Sequence, residues 1–171
     1  MGKKIATVIT NMFEDVEYTS PAKAFKEAGH EVVTIEKEKG TEVTGKNKEA
    51  TVKIDYGIDD VNPSDFDALF IPGGFSPDQL RGDDRFVKFA KHFMDEKKPV
   101  FAICHGPQLL ITAKTLEGRD ATGYKSIQVD MEYAGAKVVD EEVVVCHNQL
   151  VTSRQPDDIP AFNRESLNLL K

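Results

Sequence analysis

A cysteine and a histidine stand side by side where a buried strand is predicted to end. The apolar run 100–103 predicts a strand covered on both faces, and the residues after Gly106 have helical spacing. A sharp strand-to-helix bend strains the backbone and lifts one side chain to where the first N–H groups of the helix point. We therefore expect Cys104 to be a partly exposed nucleophilic thiol of lowered pKa. The alternative is a small buried hydrophobic residue.

Two further loops carry groups that could assist a thiol. Glu14 follows the first predicted strand, and its carboxyl could share a proton with the thiol or form a hydrogen bond to it. Otherwise Glu14 only favours a helix N-terminus. Gly73 and Gly74 end another buried strand, and the N–H of Gly74 together with that of His105 could form an oxyanion hole. The alternative for the glycine pair is a tight turn.

His105 needs help from the fold if it is to act as a base. Neighbouring side chains usually diverge, so the imidazole reaches the thiol only if the bend turns it round and a third group orients it. Asp78 could be that third group. The alternatives are a surface or helix-capping histidine and a solvated loop acid.

Composition narrows the classes of protein and ligand. The chain carries 29 acidic and 22 basic residues among 171, a net charge of −7, which argues against a nucleic-acid-binding face. No apolar run approaches the roughly 18 residues of a membrane span. Two cysteines do not make a disulfide framework, so we expect a cytoplasmic, reduced protein. Cys146 and His147 lack further nearby ligands and the glycines form no phosphate-binding pattern, so we expect no metal and no cofactor.

Predicted strands alternate with predicted helices along the chain. Strands are predicted at residues 4–10, 30–36, 50–56, 68–71, 100–103, 121–123, 141–145 and 150–153, with a hairpin over 40–48, and helices at 16–28 (starting or kinked at Pro21), 84–96, from the elbow to about 116–118, 127–134 and 159–170. This order predicts a single α/β domain, 1–171, with a doubly wound, mostly parallel sheet and helices on both faces. The loops 11–15, 72–77 and 104–107 should then meet at the carboxyl ends of the central strands.

Three separated motifs resemble those of the PfpI-type intracellular protease family, within the ThiJ/PfpI superfamily. The motifs are residues 11–17 (NMFEDVE), 71–74 (IPGG) and 102–108 (AICHGPQ). The resemblance implies a flavodoxin-like fold with a nucleophile elbow at Cys104. It also implies that Glu14 is the carboxyl bonded to the sulfur and that His105 is the neighbouring triad histidine.

The same resemblance implies further roles. The N–H groups of Gly74 and His105 would form the oxyanion hole, beside Gly73. The family takes its triad acid, a Glu, from a neighbouring subunit, and the matching residue here is Asp78, which is one methylene shorter. The resemblance therefore implies a homo-oligomer, either a dimer or a hexamer.

The resemblance implies a stress-protective cysteine hydrolase that acts on damaged proteins or on glyoxal-type carbonyls and their adducts. We favour small-carbonyl chemistry over proteolysis because Asp78 replaces the family's Glu. The alternative from another class is a redox-sensing thiol protein or holdase chaperone, since an exposed low-pKa thiol also oxidises first. A glutaminase is disfavoured because no His follows His147.

Overall fold

The computed structural model describes residues 2–171, and Met1, the first residue of the predicted domain 1–171, lies outside them. Its strands are β1 (Lys4–Val8), β2 (Glu31–Glu36), β3 (Glu42–Thr44), β4 (Thr51–Lys53), β5 (Tyr56–Gly57), β6 (Ala68–Ile71), β7 (Val100–Ile103), β8 (Asp120–Ala121), β9 (Lys137–Val138), β10 (Val144–Cys146) and β11 (Leu150–Ser153). Seven of them form the central sheet in the order β10-β11-β7-β6-β1-β2-β5.

The central sheet is parallel except at one edge, where β10 and β11 form an antiparallel pair. Strands β6 and β7 lie in its middle and are buried at every residue, as expected of apolar strands covered by helices on both faces. The predicted doubly wound α/β fold is confirmed. The predicted hairpin at 141–153 is also present, as the β10–β11 edge.

The helices are α1 (Asp15–Glu27), α2 (Ser76–Leu80), α3 (Asp84–Asp95), α4 (Pro107–Thr112), α5 (Gln128–Tyr133) and α6 (Ile159–Leu169). Helix α1 runs through Pro21 instead of starting there, because its inner face, including Phe25, is held against the sheet. Helix α4 ends earlier than predicted because Lys114 adopts a left-handed conformation with φ 59°. The short α2, which carries Asp78, was not predicted.

Two apolar layers cover the two faces of the sheet. One layer is rich in aromatic rings, and Phe25 contacts both Phe70 and Phe101 with ring centroids 5.6 Å apart. Phe162 of α6 also packs on Phe70, at 6.2 Å. The other layer is built mainly from α3 and α4 on the opposite face. Burial on both faces makes the sheet a rigid platform for the loops at its carboxyl edge.

The three loops predicted to converge do meet at the carboxyl ends of β1, β6 and β7. The N–H of Glu14 donates to the carbonyl of Gly73 at 3.2 Å, and the N–H of Phe75 donates to Met12 at 2.8 Å. The hairpin formed by β3 and β4 lies against the first loop, where the N–H of Lys46 donates to the carbonyl of Phe13 at 2.9 Å. Four chain segments therefore surround the start of α4. Within residues 2–171, no helix has the length and apolar character needed to cross a bilayer.

Candidate functional site

Cys104 occupies the bend between β7 and α4 in a strained backbone conformation. Its φ is 62°, in the left-handed region that non-glycine residues rarely adopt. The backbone on both sides is tied down, since the N–H of Cys104 donates to Ser153 and its carbonyl accepts from Tyr124, each at 2.9 Å. Helix α4 begins three residues later, at Pro107. This is the geometry of a nucleophile elbow.

The environment of the thiol differs from the one expected from sequence. Cys104 is only 6% exposed. Burial, followed by the nearby carboxyl of Glu17, raises the pKa of the Cys104 thiol above its ordinary value. The N–H groups of Gly74 and His105 oppose this rise by donating to the sulfur. The expectation of a partly exposed thiol with a lowered pKa is therefore wrong.

The carboxyl beside the thiol belongs to Glu17, not to Glu14, so the expected Glu14–sulfur contact is a wrong prediction. Glu17 is fully buried, and its carboxyl faces the Cys104 thiol and the Gly73 N–H, although neither oxygen has a well-directed hydrogen bond within residues 2–171. A Cβ on Gly73 would collide with this carboxyl and lie 2.8 Å from the Cys104 Cβ. Glycine is therefore required for the close approach.

Helix geometry explains why Glu17 takes this place. Helix α1 begins at Asp15, so Glu17 lies in its first turn, next to the inner face formed by Tyr18, Ala22 and Phe25. Glu14 is the N-cap, outside the helix, and its side chain turns toward the hairpin. The apolar spacing of that inner face was a usable signal, because it places Glu17 on the side that faces the sheet.

Burial, together with repulsion from Glu14, raises the pKa of Glu17 from 4.5 to about 8. At neutral pH the Glu17 carboxyl is therefore protonated and uncharged. A neutral carboxyl no longer repels a thiolate and can donate its O–H to it. Cys104 and Glu17 thus form a buried pair in which the charge of either group opposes ionisation of the other.

Glu14 instead pairs with the hairpin. Its Oε2 lies 2.6 Å from the Nζ of Lys46, and its Oε1 accepts from the Asn47 side chain at 3.2 Å. The hydrogen bond to Glu14, above all, raises the pKa of Lys46, and the negative charge of Glu14 adds to the rise, while burial opposes it. Lys46 was missed from sequence because nothing in a charged loop marks one lysine as facing a distant cysteine.

The predicted oxyanion donors surround the same sulfur. Gly74 has a φ of 77°, and a Cβ there would lie 2.6 Å from the carbonyl oxygen of Met12 and collide with the Glu14 nitrogen. Only glycine fits this conformation and this close approach. The N–H of Gly74 and the N–H of His105 both point toward Cys104. Their use as an oxyanion hole stays a prediction, as does a role for Gly73.

The predicted His105–Asp78 pair does not form within the chain. Asp78 is exposed on α2 and binds Arg81, with Oδ1 3.0 Å from Nε and 2.9 Å from Nη2. His105 stacks on Tyr124 at 4.9 Å, and within residues 2–171 its imidazole makes no hydrogen bond. Burial, with Lys46 second, lowers the pKa of His105, so the ring is neutral near pH 7. The short helix α2 points the acid to its own neighbour instead.

These groups line one cavity of about 410 Å³. Its wall consists of Glu14, Glu17, Lys46, Gly74, Phe75, Cys104, His105, Tyr124 and Pro156. Cys146 lies elsewhere, buried in β10. Among residues 2–171, no group of three His, Cys, Asp or Glu side chains is placed to hold a metal ion. The cavity therefore combines one thiol, one neutral acid, two N–H donors and an ion pair.

The raised pKa of Glu17 predicts a loss of stability as pH rises. The folded state keeps a proton that the unfolded state releases above about pH 4.5, so the free energy of unfolding should fall between about pH 5 and 8. The fall should be roughly 3 to 5 kcal/mol. Urea unfolding of wild type and Glu17→Gln across this range isolates the effect, because His30 and His105 contribute equally to both proteins. A parallel pH dependence in the two proteins would contradict it, and Glu14→Gln, which removes one cause of the raised Glu17 pKa, should keep the fall but make it smaller.

Comparison with known proteins places this geometry in a family. The model of the DJ-1/PfpI family matches residues 3–169. General stress protein 18 of Bacillus subtilis is 75% identical over 171 residues, covering 100% of this chain and 99% of that protein. Protein/nucleic acid deglycase 2 of Escherichia coli is 61% identical over 170 residues, with 99% of each chain covered.

A solved structure agrees with the fold. The crystal structure of a ThiJ/PfpI domain protein from Brachyspira murdochii superposes with a TM-score of 0.91 at 28% identity, covering 99% of this chain and 96% of that one. The family match extends over nearly the whole chain, and the relatives match it end to end. The elbow cysteine, the buried acid beside it and the parallel sheet beneath them therefore belong to a member of the DJ-1/PfpI family.

Proposed function

We propose that this protein is a stress-protective, cysteine-dependent hydrolase that acts on glyoxal-type carbonyls and their adducts. One observation carries the proposal: the Cys104 sulfur lies in a cavity between the neutral carboxyl of Glu17 and the N–H groups of Gly74 and His105. The names of the Bacillus stress protein and of the Escherichia deglycase support the class of reaction.

The proposed reaction of methylglyoxal uses only these groups and water. The thiolate adds to the aldehyde carbon, and the two N–H groups hold the oxyanion that forms. Glu17 gives its proton to the oxyanion, and the carboxylate that remains takes the proton from this carbon and delivers it to the neighbouring carbon, which turns the adduct into a lactate thioester. Water then cleaves the thioester and restores the thiol. The sum is methylglyoxal plus water giving lactate, without any redox change supplied from outside.

A small carbonyl suits the site better than a peptide. Peptide cleavage requires a histidine that takes the proton of the nucleophile and delivers it to the leaving amine, and an acid that orients that histidine. Within residues 2–171 the imidazole of His105 has no hydrogen-bonded acid, because Asp78 is engaged by Arg81. Carbonyl addition requires only the sulfur, the N–H donors and the buried carboxyl.

Three substrates test the proposal on wild-type protein under one set of conditions. They are methylglyoxal, a methylglyoxal adduct of N-acetyl-lysine followed by release of the free amine, and a fluorogenic peptide. We expect turnover of one or both carbonyl substrates and none of the peptide. Cleavage of the peptide alone would contradict the proposal. If no substrate turns over and mild peroxide oxidises Cys104 selectively over Cys146, the redox-sensor alternative replaces it.

We also propose that the active form is a cytoplasmic homo-oligomer, a dimer or a hexamer. His105 has no hydrogen-bonded acid within residues 2–171, which leaves room for an acid from a second copy. Met12 and Phe75, beside the cavity, are 45% and 57% exposed, so an apolar surface is available for that copy.

A further inference from the structure

Asp15 carries a network of backbone contacts that the proposed reaction does not use. Its carboxylate is 2% exposed. Oδ1 accepts from the N–H of Asn47 at 2.9 Å, while Oδ2 accepts from Glu49 at 3.0 Å and from Ala50 at 2.9 Å. Three N–H groups of the β3–β4 turn thus converge on one side chain of α1. Burial opposes the charged form, but these hydrogen bonds outweigh it and hold the pKa of Asp15 below its ordinary value.

The turn is shaped around this carboxylate. A Cβ on Gly45 would collide with all three atoms of the Asp15 carboxyl group, so only glycine admits Asp15 at that point. The N–H of Gly45 donates to Ala50 at 3.0 Å and closes the turn. Without Asp15 the three N–H groups, which belong to exposed or half-buried residues, would lose their charged acceptor, and a hydrogen bond to a charged group contributes about 1.5 to 3 kcal/mol. The turn would then move to reach solvent.

The turn held by Asp15 supplies one wall of the cavity. Lys46 lies between Gly45 and Asn47, and its ammonium group lines the cavity with Cys104 and Glu17. A lysine on a free loop spreads over many rotamers, and fixing one of them costs up to about 2 kcal/mol. The ion pair with Glu14, formed from a turn whose backbone is fixed by hydrogen bonds, offsets this loss of side-chain entropy. Lys46 is therefore placed by three contacts: Asp15 holds the rest of the turn, Phe13 accepts the Lys46 N–H, and Glu14 pairs with the ammonium.

We propose that Asp15 is a positioning residue of the site: it holds the β3–β4 turn so that the Lys46 ammonium stays beside Cys104 and favours its thiolate. The inference rests on the proposed function, because it takes Cys104 to be the reacting thiol. Several charged or titratable groups face the pair formed by Cys104 and Glu17. Glu14, Lys46, His105 and Tyr124 line the same cavity, and the charges of Asp78 and Arg81 on α2 act on His105. Of these, Lys46 is the one that lies on the turn held by Asp15.

The experiment measures alkylation of Cys104 by iodoacetamide as a function of pH, with mass spectrometry to separate Cys104 from Cys146. Lys46→Met should move the midpoint of alkylation up by about one pH unit, because the thiolate loses a cation that lines the same cavity. Asp15→Asn should move it in the same direction, since an amide presents N–H groups to backbone donors and releases the turn. In the double variant the shift should not exceed that of Lys46→Met alone.

A matched control separates positioning from general stability. Asp55 also accepts backbone N–H bonds, from Thr34 at 2.9 Å, but lies outside the cavity. Asp55→Asn should lower stability without moving the alkylation midpoint. If Asp15→Asn does not fold, Gly45→Ala replaces it, because the added Cβ displaces the turn from an intact carboxylate. The proposal is overturned if Lys46→Met leaves the midpoint unchanged. It is also overturned if a folded Asp15→Asn or Gly45→Ala variant leaves the alkylation midpoint unchanged. A larger shift in the double variant than in Lys46→Met alone would overturn it as well.

The readout also keeps this inference separate from the proposed reaction. Alkylation needs no substrate turnover, so a protein inactive on every carbonyl can still give the predicted shift. Conversely, turnover without a shift would leave the proposed function standing and remove only the role of Asp15.

Discussion

Replacing Cys104 by serine is expected to lower methylglyoxal turnover at least about 1,000-fold. An alcohol holds its proton far more tightly than a thiol, so the buried Glu17 carboxyl and the two N–H donors cannot produce a comparable nucleophile. The Cβ–O bond of serine is shorter than the Cβ–S bond of cysteine by only a fraction of an ångström. The elbow should therefore keep its shape. Steady-state loss of methylglyoxal, followed together with lactate formation, measures the effect.

Cys146→Ser provides the matched control. Cys146 is also a buried cysteine, 3% exposed, but it lies in β10 and does not line the cavity. Its replacement should leave turnover within about twofold of wild type, since it alters no group near the reacting carbon. Full activity of Cys104→Ser on every carbonyl tested would refute the mechanism. A comparable loss in both variants would point to damage of the fold instead.

Glu17→Gln is expected to lower turnover by about 100-fold or more, the usual contribution of a general acid or base. The amide can still donate a hydrogen bond to the thiolate, but it cannot take up and return the proton that moves between the two substrate carbons. Alkylation of Cys104 at pH 7 should therefore persist in this variant while turnover is lost. The pH dependence that Glu17 imparts near pH 8 should disappear as well.

Glu14→Gln is the control for this second prediction. Glu14 lies one helical turn away, carries the same carboxyl group and reaches the cavity, but binds Lys46 instead of the sulfur. Loss of a partly exposed ion pair should change turnover by less than about fivefold. Equal losses in the two variants, or a larger loss in Glu14→Gln, would mean that the roles of the two carboxyls have been assigned wrongly.

Local sequence was sufficient wherever a short pattern decides the structure. The run of apolar residues at 68–71 predicted β6 with its observed bounds, and the strand that ends at Ile103 was predicted to turn sharply into a helix at Cys104. The alternation of such runs with helical patterns predicted the parallel sheet. The parallel order in turn brought the three loops together, because parallel strands end at the same edge.

Local sequence was not sufficient where two similar groups compete for one place. Glu14 and Glu17 are three residues apart, and in the sequence only the apolar spacing of α1 distinguishes them. The start of α1 at Asp15, held by its contact with the β3–β4 turn, turns Glu17 inward and Glu14 outward. Asp78 was likewise assigned to His105 from the sequence, whereas helix α2 places its carboxylate against Arg81.

The sequence by itself determined the nature of the reacting groups and the order of strands that brings them to one edge. Only the tertiary structure decided which carboxyl meets the sulfur and which of the two holds the proton. Proton affinity depends on how much water a folded chain excludes and on which charges remain nearby. Cys104, Glu17 and Lys46 come from three distant parts of the chain, so their mutual burial and charge exist only after folding.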